Sequence, residues 1–260
     1  MNIKLIVTDL DQTLLQSNRR ISEYTKDVLL RCQNKGILLA FATARSEKAC
    51  VQFAKYVHPY AVISNSGALV RKSPNDSFIY RQTMSQDITN NLLSLLLAQP
   101  AIGYIAVDTD EGYLVNQPVD PDDPNWADYL PAGYADFSQG LSGDSYKIAA
   151  EVFDRNILTT INHFFPTVRA IPFSGGQWVC LIDEQVSKLN GVKALAKHLH
   201  IPLEEIVAFG DDFSDIEMLR GCGIGVAIGN AIQEVKDVAD ELCEENDQDG
   251  VAKWLKKNIL

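Results

Sequence analysis

The chain has 260 residues, 46% of them hydrophobic and 22% charged, and a formal net charge of −11. That is material for one large domain or two modest ones with a buried core. The acid excess repels nucleic acid phosphates and anionic lipid, so neither is an expected partner. No apolar run approaches the ~20 residues of a spanning helix. Met1–Leu5 lacks the basic, apolar and small-residue pattern of a leader, and the expected location is the cytoplasm.

In chain order, Ile3–Thr8 is an apolar, β-branched run that predicts a strand. Ser22 then caps a helix with Val28, Leu29 and Cys32 on one face and Gly36 just beyond its end. Ile37–Ala42 predicts a second strand, Ser46–Tyr56 a second helix and Ala61–Ile63 a third strand. Short apolar strands separated by helices predict a parallel sheet with both faces covered. The C-terminal part has the same character. Leu189, Val192, Leu195, Ala196 and Leu199 follow helical spacing up to Pro202. Strands at Ile206–Phe209 and Gly225–Ile228 follow, with helices near Asp215–Leu219, Ala231–Val238 and Gly250–Lys257.

The middle is different. A helix over Asp87–Leu97 precedes strand-like stretches at Tyr104–Val107, Tyr113–Val115, Tyr146–Phe153 and Trp178–Ile182. Turn residues such as Ser174-Gly175-Gly176 bound them, and the pattern predicts an antiparallel α+β unit. Residues 82–181 hold three basic residues (Lys147, Arg155, Arg169) against twelve acids, while the flanking parts hold twenty against twenty-two. The expected organisation is an α/β, doubly wound parallel-sheet core from residues 1–81 and 182–260, with an inserted acidic α+β domain at 82–181.

Two acidic clusters follow predicted core strands. Asp9-Leu10-Asp11-Gln12-Thr13 comes after the first strand, and Gly210-Asp211-Asp212-Phe213-Ser214-Asp215 after Ile206–Phe209. The carboxyl ends of parallel strands line the ligand crevice of such sheets. Close carboxylates repel, which favours a bound cation or a raised pKa. Both outcomes suit phosphoryl transfer, with one acid attacking and the other moving the leaving-group proton. Each cluster alone is equally read as a solvated loop or an acidic helix start; together, at equivalent strand ends, they indicate an oxygen-ligand site suited to magnesium. Thr43 ends the second strand and opens a helix, either as a plain cap or, with neighbouring N–H groups, as a holder of phosphoryl oxygens. Lys188, before a helix starting near Asn190, offers positive charge. The five cysteines, Cys32, Cys50, Cys180, Cys222 and Cys243, have no metal or disulfide spacing and read as inert thiols. The Asp/Pro-rich stretch Val119–Pro124 lacks the glycine and terminal glutamate of a calcium loop and reads as a solvated loop.

These residues resemble the haloacid dehalogenase (HAD) superfamily, and within it the Cof-type phosphatases with a large α/β cap inserted after the third core strand. The likeness rests on Thr8–Leu15, Ala42-Thr43-Ala44-Arg45, Ser64-Asn65-Ser66-Gly67-Ala68, Val186-Ser187-Lys188, Gly210–Asp215, Gly229-Asn230-Ala231 and Asp249-Gly250-Val251-Ala252. The resemblance implies that Asp9 attacks phosphorus and that Asp11 serves as acid and then base. It implies Mg2+ held by the Asp9 carboxylate, the Asp11 carbonyl and Asp211, with Asp215 in support. It further implies phosphate binding by Thr43, Ala44, Lys188 and Ser214, and a cap that sets specificity. Gln12, Ala44 and Leu189 stand where the family usually has glycine, and Ser214 where asparagine is usual. The expected partner is a small phosphorylated metabolite such as a sugar phosphate, and the chain is expected as a monomer or homo-oligomer. Competing expectations are a phosphomutase of the same superfamily and a non-catalytic metabolite-binding regulator.

Overall fold

The computed structural model describes residues 2–72, 78–120, 131–174 and 176–260. It divides into two compact units, Met1–Arg81 with Ser187–Leu260, and Gln82–Val186. Gly175 and residues 121–124 of the Asp/Pro-rich stretch lie outside the described residues.

The first unit contains β1 (Leu5–Thr8), α1 (Glu23–Asn34), β2 (Leu38–Ala42), α2 (Glu47–Val57), β3 (Ala61–Ser64), β4 (Leu69–Arg71) and β5 (Phe78–Arg81). After the second unit it resumes with α5 (Lys188–Leu199), β12 (Ile206–Gly210), α6 (Ile216–Gly221), β13 (Ile224–Ala227), α7 (Gln233–Lys236), β14 (Glu241–Leu242) and α8 (Gly250–Asn258). Among the described residues, eight strands form one sheet in the order β14-β13-β12-β1-β2-β3-β4-β5. The strands from β14 to β3 are parallel.

Alternation along the strands explains how both faces are covered. Ile6, Leu39, Phe41, Val62, Val207 and Phe209 join one core with Val28 and Leu29 of α1, Phe53 of α2 and Trp254 of α8. Leu5, Val7, Ala40, Ala61, Ile63 and Ala208 join another with Val192 and Leu195 of α5 and Met218 of α6. Strands buried on both sides must be apolar at nearly every position, which is why these runs show no polar alternation.

The antiparallel pair β4–β5 extends the sheet beyond β3, where the sequence predicts only parallel strands. The cause is the turn at Asn65, Ser66 and Gly67, with φ of 51°, 59° and 105°. Three successive left-handed residues reverse the chain at once, and no crossover helix is needed. A Cβ on Gly67 would collide with the Ser187 carbonyl, so the absent side chain lets the start of α5 approach this turn.

The second unit contains α3 (Gln86–Leu97), β6 (Ile102–Thr109), β7 (Gly112–Val115), β8 (Gly133–Tyr134), β9 (Lys147–Val152), α4 (Ile157–Phe164), β10 (Val168–Pro172) and β11 (Trp178–Asp183). Its sheet order is β10-β11-β9-β6-β7-β8, antiparallel except for β7 with β8. Ile105, Val107, Ile148, Ala150 and Leu181 pack with Leu92, Leu93 and Leu96 of α3 and Ile161 of α4. The sequence places the boundary after residue 181. The unit instead reaches Val186, because β11 runs to Asp183, which pairs with Val168.

Cys32, Cys50, Cys180 and Cys222 are buried and Cys243 is half-buried. Burial pushes the Cys222 and Cys243 thiols up to about 12. No helix among the described residues is long and apolar enough to cross a membrane.

Gly67→Ala forces a Cβ onto backbone atoms at a left-handed φ, and such overpacking costs about 1–3 kcal/mol. Urea unfolding is expected to show a loss at the upper end of that range; unchanged stability would mean the turn and Ser187 do not need their close approach.

Candidate active site

The direction of winding reverses between β1 and β12, so their carboxyl ends flank the crevice where ligands bind in open α/β sheets. Asp9 leaves β1 at that point, its N–H donating to the Phe209 carbonyl at 3.0 Å. Asp211 leaves β12 beside it. In the turn over Leu10–Leu14, Asp11 is extended and Gln12 is left-handed at φ 56°. A glycine would adopt that angle without cost, so Gln12 holds a mildly strained backbone there. Asn230 Nδ2 donates to the Gln12 carbonyl at 2.8 Å, and Asn246 Nδ2 to the Leu15 carbonyl at 2.9 Å. The chain after β13 thus braces the turn that carries Asp11.

Asp9, Asp211 and Asp215 each offer an oxygen within 4.8 Å of the others. Lys188, the first residue of α5, points into this group and is 1% exposed. Its Nζ lies 3.1 Å from Asp9 Oδ1 and 2.7 Å from Asp215 Oδ1. Ser187 caps the helix, accepting from the Asn190 N–H at 3.1 Å. Asp215 is fully engaged: its Oδ2 accepts from the N–H groups of Asp211 and Asp212, both at 3.1 Å. A Cβ on Gly210 would strike the Asp215 side chain, so that glycine makes room for it. Thr13 Oγ1 donates to Asp211 Oδ1 at 2.5 Å.

The charge balance of the cluster is unfavourable as it stands. Burial is the largest influence on Asp9 and, with the charges of Asp215 and Asp11, outweighs Lys188, pushing its carboxyl up to about 7. Burial, then Asp9 and Asp215, pushes Asp211 up to about 9. Burial alone would lower the Lys188 ammonium, but the Asp215 and Asp9 carboxylates reverse that and raise it. Two carboxyls driven toward the neutral form beside one buried lysine mark a site with more negative charge than its own cation offsets. An all-oxygen donor set of that kind fits a hard divalent cation such as magnesium.

The remaining expected residues fall close by, with differences. Thr43 is buried but does not open a helix: β2 ends at Ala42 and α2 begins at Glu47, with Ser46 at its cap. Thr43 and the half-buried Ala44 sit in the bend between, where Thr43 Oγ1 accepts from the Arg45 N–H at 3.1 Å. Ser214 is half-buried in the short turn Phe213–Asp215. The Asp11 carboxylate stands apart from the acidic group. Arg45 grips it with Nε to Oδ2 at 2.7 Å and Nη2 to Oδ1 at 2.6 Å. Neither Arg45 nor Thr13 stands out in the sequence as a site residue. Both lie inside the quoted motifs without an assigned role, and nothing local foretells the 1% exposure of Arg45.

With this geometry in view, comparison with known proteins defines the class. The model of the haloacid dehalogenase-like hydrolases matches residues 6–255, and the chain belongs to that family. The 5-amino-6-(5-phospho-D-ribitylamino)uracil phosphatase YitU of Bacillus subtilis is 26% identical, covering 97% of this chain and 96% of its own. The stress response protein YhaX of the same organism is 28% identical over 99% and 93%. Among solved structures, the HAD subclass IIB sugar phosphatase BT4131 has the same fold, with a TM-score of 0.86, 23% identity and 98% of both chains covered. A haloacid dehalogenase-like hydrolase from B. subtilis also superposes with a TM-score of 0.86, at 26% identity, over 99% of this chain and 100% of that one.

The raised carboxyls fix a sign for stability against pH. The unfolded chain releases these protons near 3.8, whereas the folded protein holds them to about 7 and about 9. Metal-free protein therefore loses stability as pH rises through that window. In EDTA, wild-type thermal stability relative to Asp211→Asn is expected to fall between pH 4 and pH 9, and magnesium to restore it most at the alkaline end. A flat or rising difference would contradict the charge balance described here.

Proposed function

We propose that the chain is a phosphatase that moves the phosphoryl group of a small phosphorylated metabolite first to Asp9 and then to water. The observation that carries this reading is Asp9 itself, a buried carboxylate at the switch point, 3.1 Å from the Lys188 ammonium and grouped with Asp211 and Asp215. In the first half, an Asp9 oxygen bonds to phosphorus as the bond to the leaving oxygen breaks, and Asp11, having taken up a proton from solvent, to which its side chain is 40% exposed, gives that proton to the leaving oxygen. In the second half, water bonds to the same phosphorus while Asp11 takes its proton. The Asp9–phosphorus bond then breaks, phosphate departs and both acids are restored.

Lys188 and Thr43 are the groups set to bind phosphoryl oxygens. The Thr43 hydroxyl accepts from Arg45 N–H and keeps its own proton to donate. Ala44 through its main chain and Ser214 through its hydroxyl complete the set. Mg2+ would be held by the Asp9 carboxylate, the Asp11 carbonyl and Asp211, with Asp215 behind them. Bound there, it would offset the charge of the incoming phosphoryl group. The relatives named phosphatases and the sugar phosphatase of the same fold support a sugar phosphate or similar substrate. Residues 82–186 would select its organic part. Their shortage of basic residues favours a neutral or cationic body over one with a second phosphate, which weighs against a mutase.

Purified protein with magnesium is expected to release inorganic phosphate from an aryl phosphate and from members of a sugar phosphate panel, and EDTA or Asp9→Asn is expected to reduce that to background. Formation of an isomeric sugar phosphate without phosphate release would favour a mutase. No turnover across the panel would favour a binding protein.

A further inference from the structure

We infer that Arg45 is a positioning residue for Asp11, holding that carboxyl toward the leaving oxygen; the inference rests on the phosphatase reading above. The guanidinium is 1% exposed while the Asp11 side chain is 40% exposed. An aspartate on a turn open to solvent samples several rotamers. Here both of its oxygens meet two N–H groups of one rigid fork, at 2.7 and 2.6 Å. That bidentate geometry fixes the plane of a carboxylate as well as its distance, which a lysine ammonium does not do.

The fork is itself immobilised. The guanidinium carbon lies 5.0 Å from the centre of the Phe53 ring. The Arg45 N–H donates to Thr43 Oγ1 at 3.1 Å, and its carbonyl accepts from the Asn65 N–H at 2.8 Å. The bend after β2 and the turn after β3 therefore fix one end of a strut whose other end is Asp11. An exposed ion pair contributes little to stability. Burying the whole cationic partner to orient one half-exposed acid is costly for a purely structural contact and useful for proton transfer, which depends on reach and angle.

The test is the dependence on leaving group. An aryl oxide leaves readily without a proton, whereas an alkoxide needs one, so loss of acid positioning affects alkyl phosphates most. Arg45→Met is expected to lower kcat on glycerol phosphate at least about tenfold more than on p-nitrophenyl phosphate, part of the 10²–10⁴-fold range of general acid catalysis. Arg45→Lys, which keeps the charge and lacks the fork, is expected to show the same split in smaller measure; it carries the test if the Met variant fails to fold. Arg45→Met in an Asp11→Asn background is expected to add no further split. Equal losses on both substrates, or a change in KM alone, would overturn the positioning role. If Asp11→Asn itself shows no split, the assignment of Asp11 as the acid fails instead, which keeps the two claims distinguishable.

Discussion

A fully buried ammonium held between carboxylates is the constraint around which the first unit is arranged. Desolvating Lys188 is unfavourable unless opposite charge lies close on more than one side, and Asp9 and Asp215 supply it. Removing one partner from such a group typically costs about 3–5 kcal/mol, because the other charge is left buried and alone. Placing the ammonium there requires the Ser187 cap, a glycine at position 67 so that α5 can approach, and a glycine at position 210 so that Asp215 fits beneath Asp211. These residues are far apart in sequence and meet at the carboxyl ends of β1, β3 and β12.

Four aspartates at this edge have four different surroundings, and their chemistry differs accordingly. Asp215 spends both oxygens on Lys188 and two N–H groups, so it supports the others. Asp211, bonded by Thr13, is driven furthest toward its neutral form and has most to gain from a cation. Asp9 has the lysine on one side and the acids on the other; in the proposed reaction it is the nucleophile, whose charge must be partly shielded before an anion can approach. Asp11, two residues on, turns away to Arg45 and solvent. A single extended residue in the Leu10–Leu14 turn sends two neighbouring carboxylates to two different surroundings.

Much of this was legible in the sequence because burial on both sheet faces leaves a plain mark. The runs around β1, β2, β3, β12 and β13 had to be apolar throughout, and acids directly after two of them had to lie at the same edge. Lys188 was legible only through its neighbours, since one lysine before a helix carries no sign of being buried. The β4–β5 pair was missed because three left-handed residues, two of them not glycine, do not resemble a hairpin turn. Helix α4 and strand β10 also went unread, their segments being short and flanked by exposed aromatics such as Phe164. The contacts of Arg45 and Thr13 span 34 and 198 residues, so the motifs that contain them do not by themselves show what they touch.

In the proposed reaction, the buried Asp9 carboxylate, made tolerable by Lys188 and a divalent cation, becomes bonded to phosphorus during turnover. Rapid acid quench with 32P-labelled substrate, followed by peptide mapping, reads this directly. The account predicts label on the peptide bearing Asp9, formed and lost at rates consistent with turnover. Phosphate release with no label on that peptide at any quench time would contradict it.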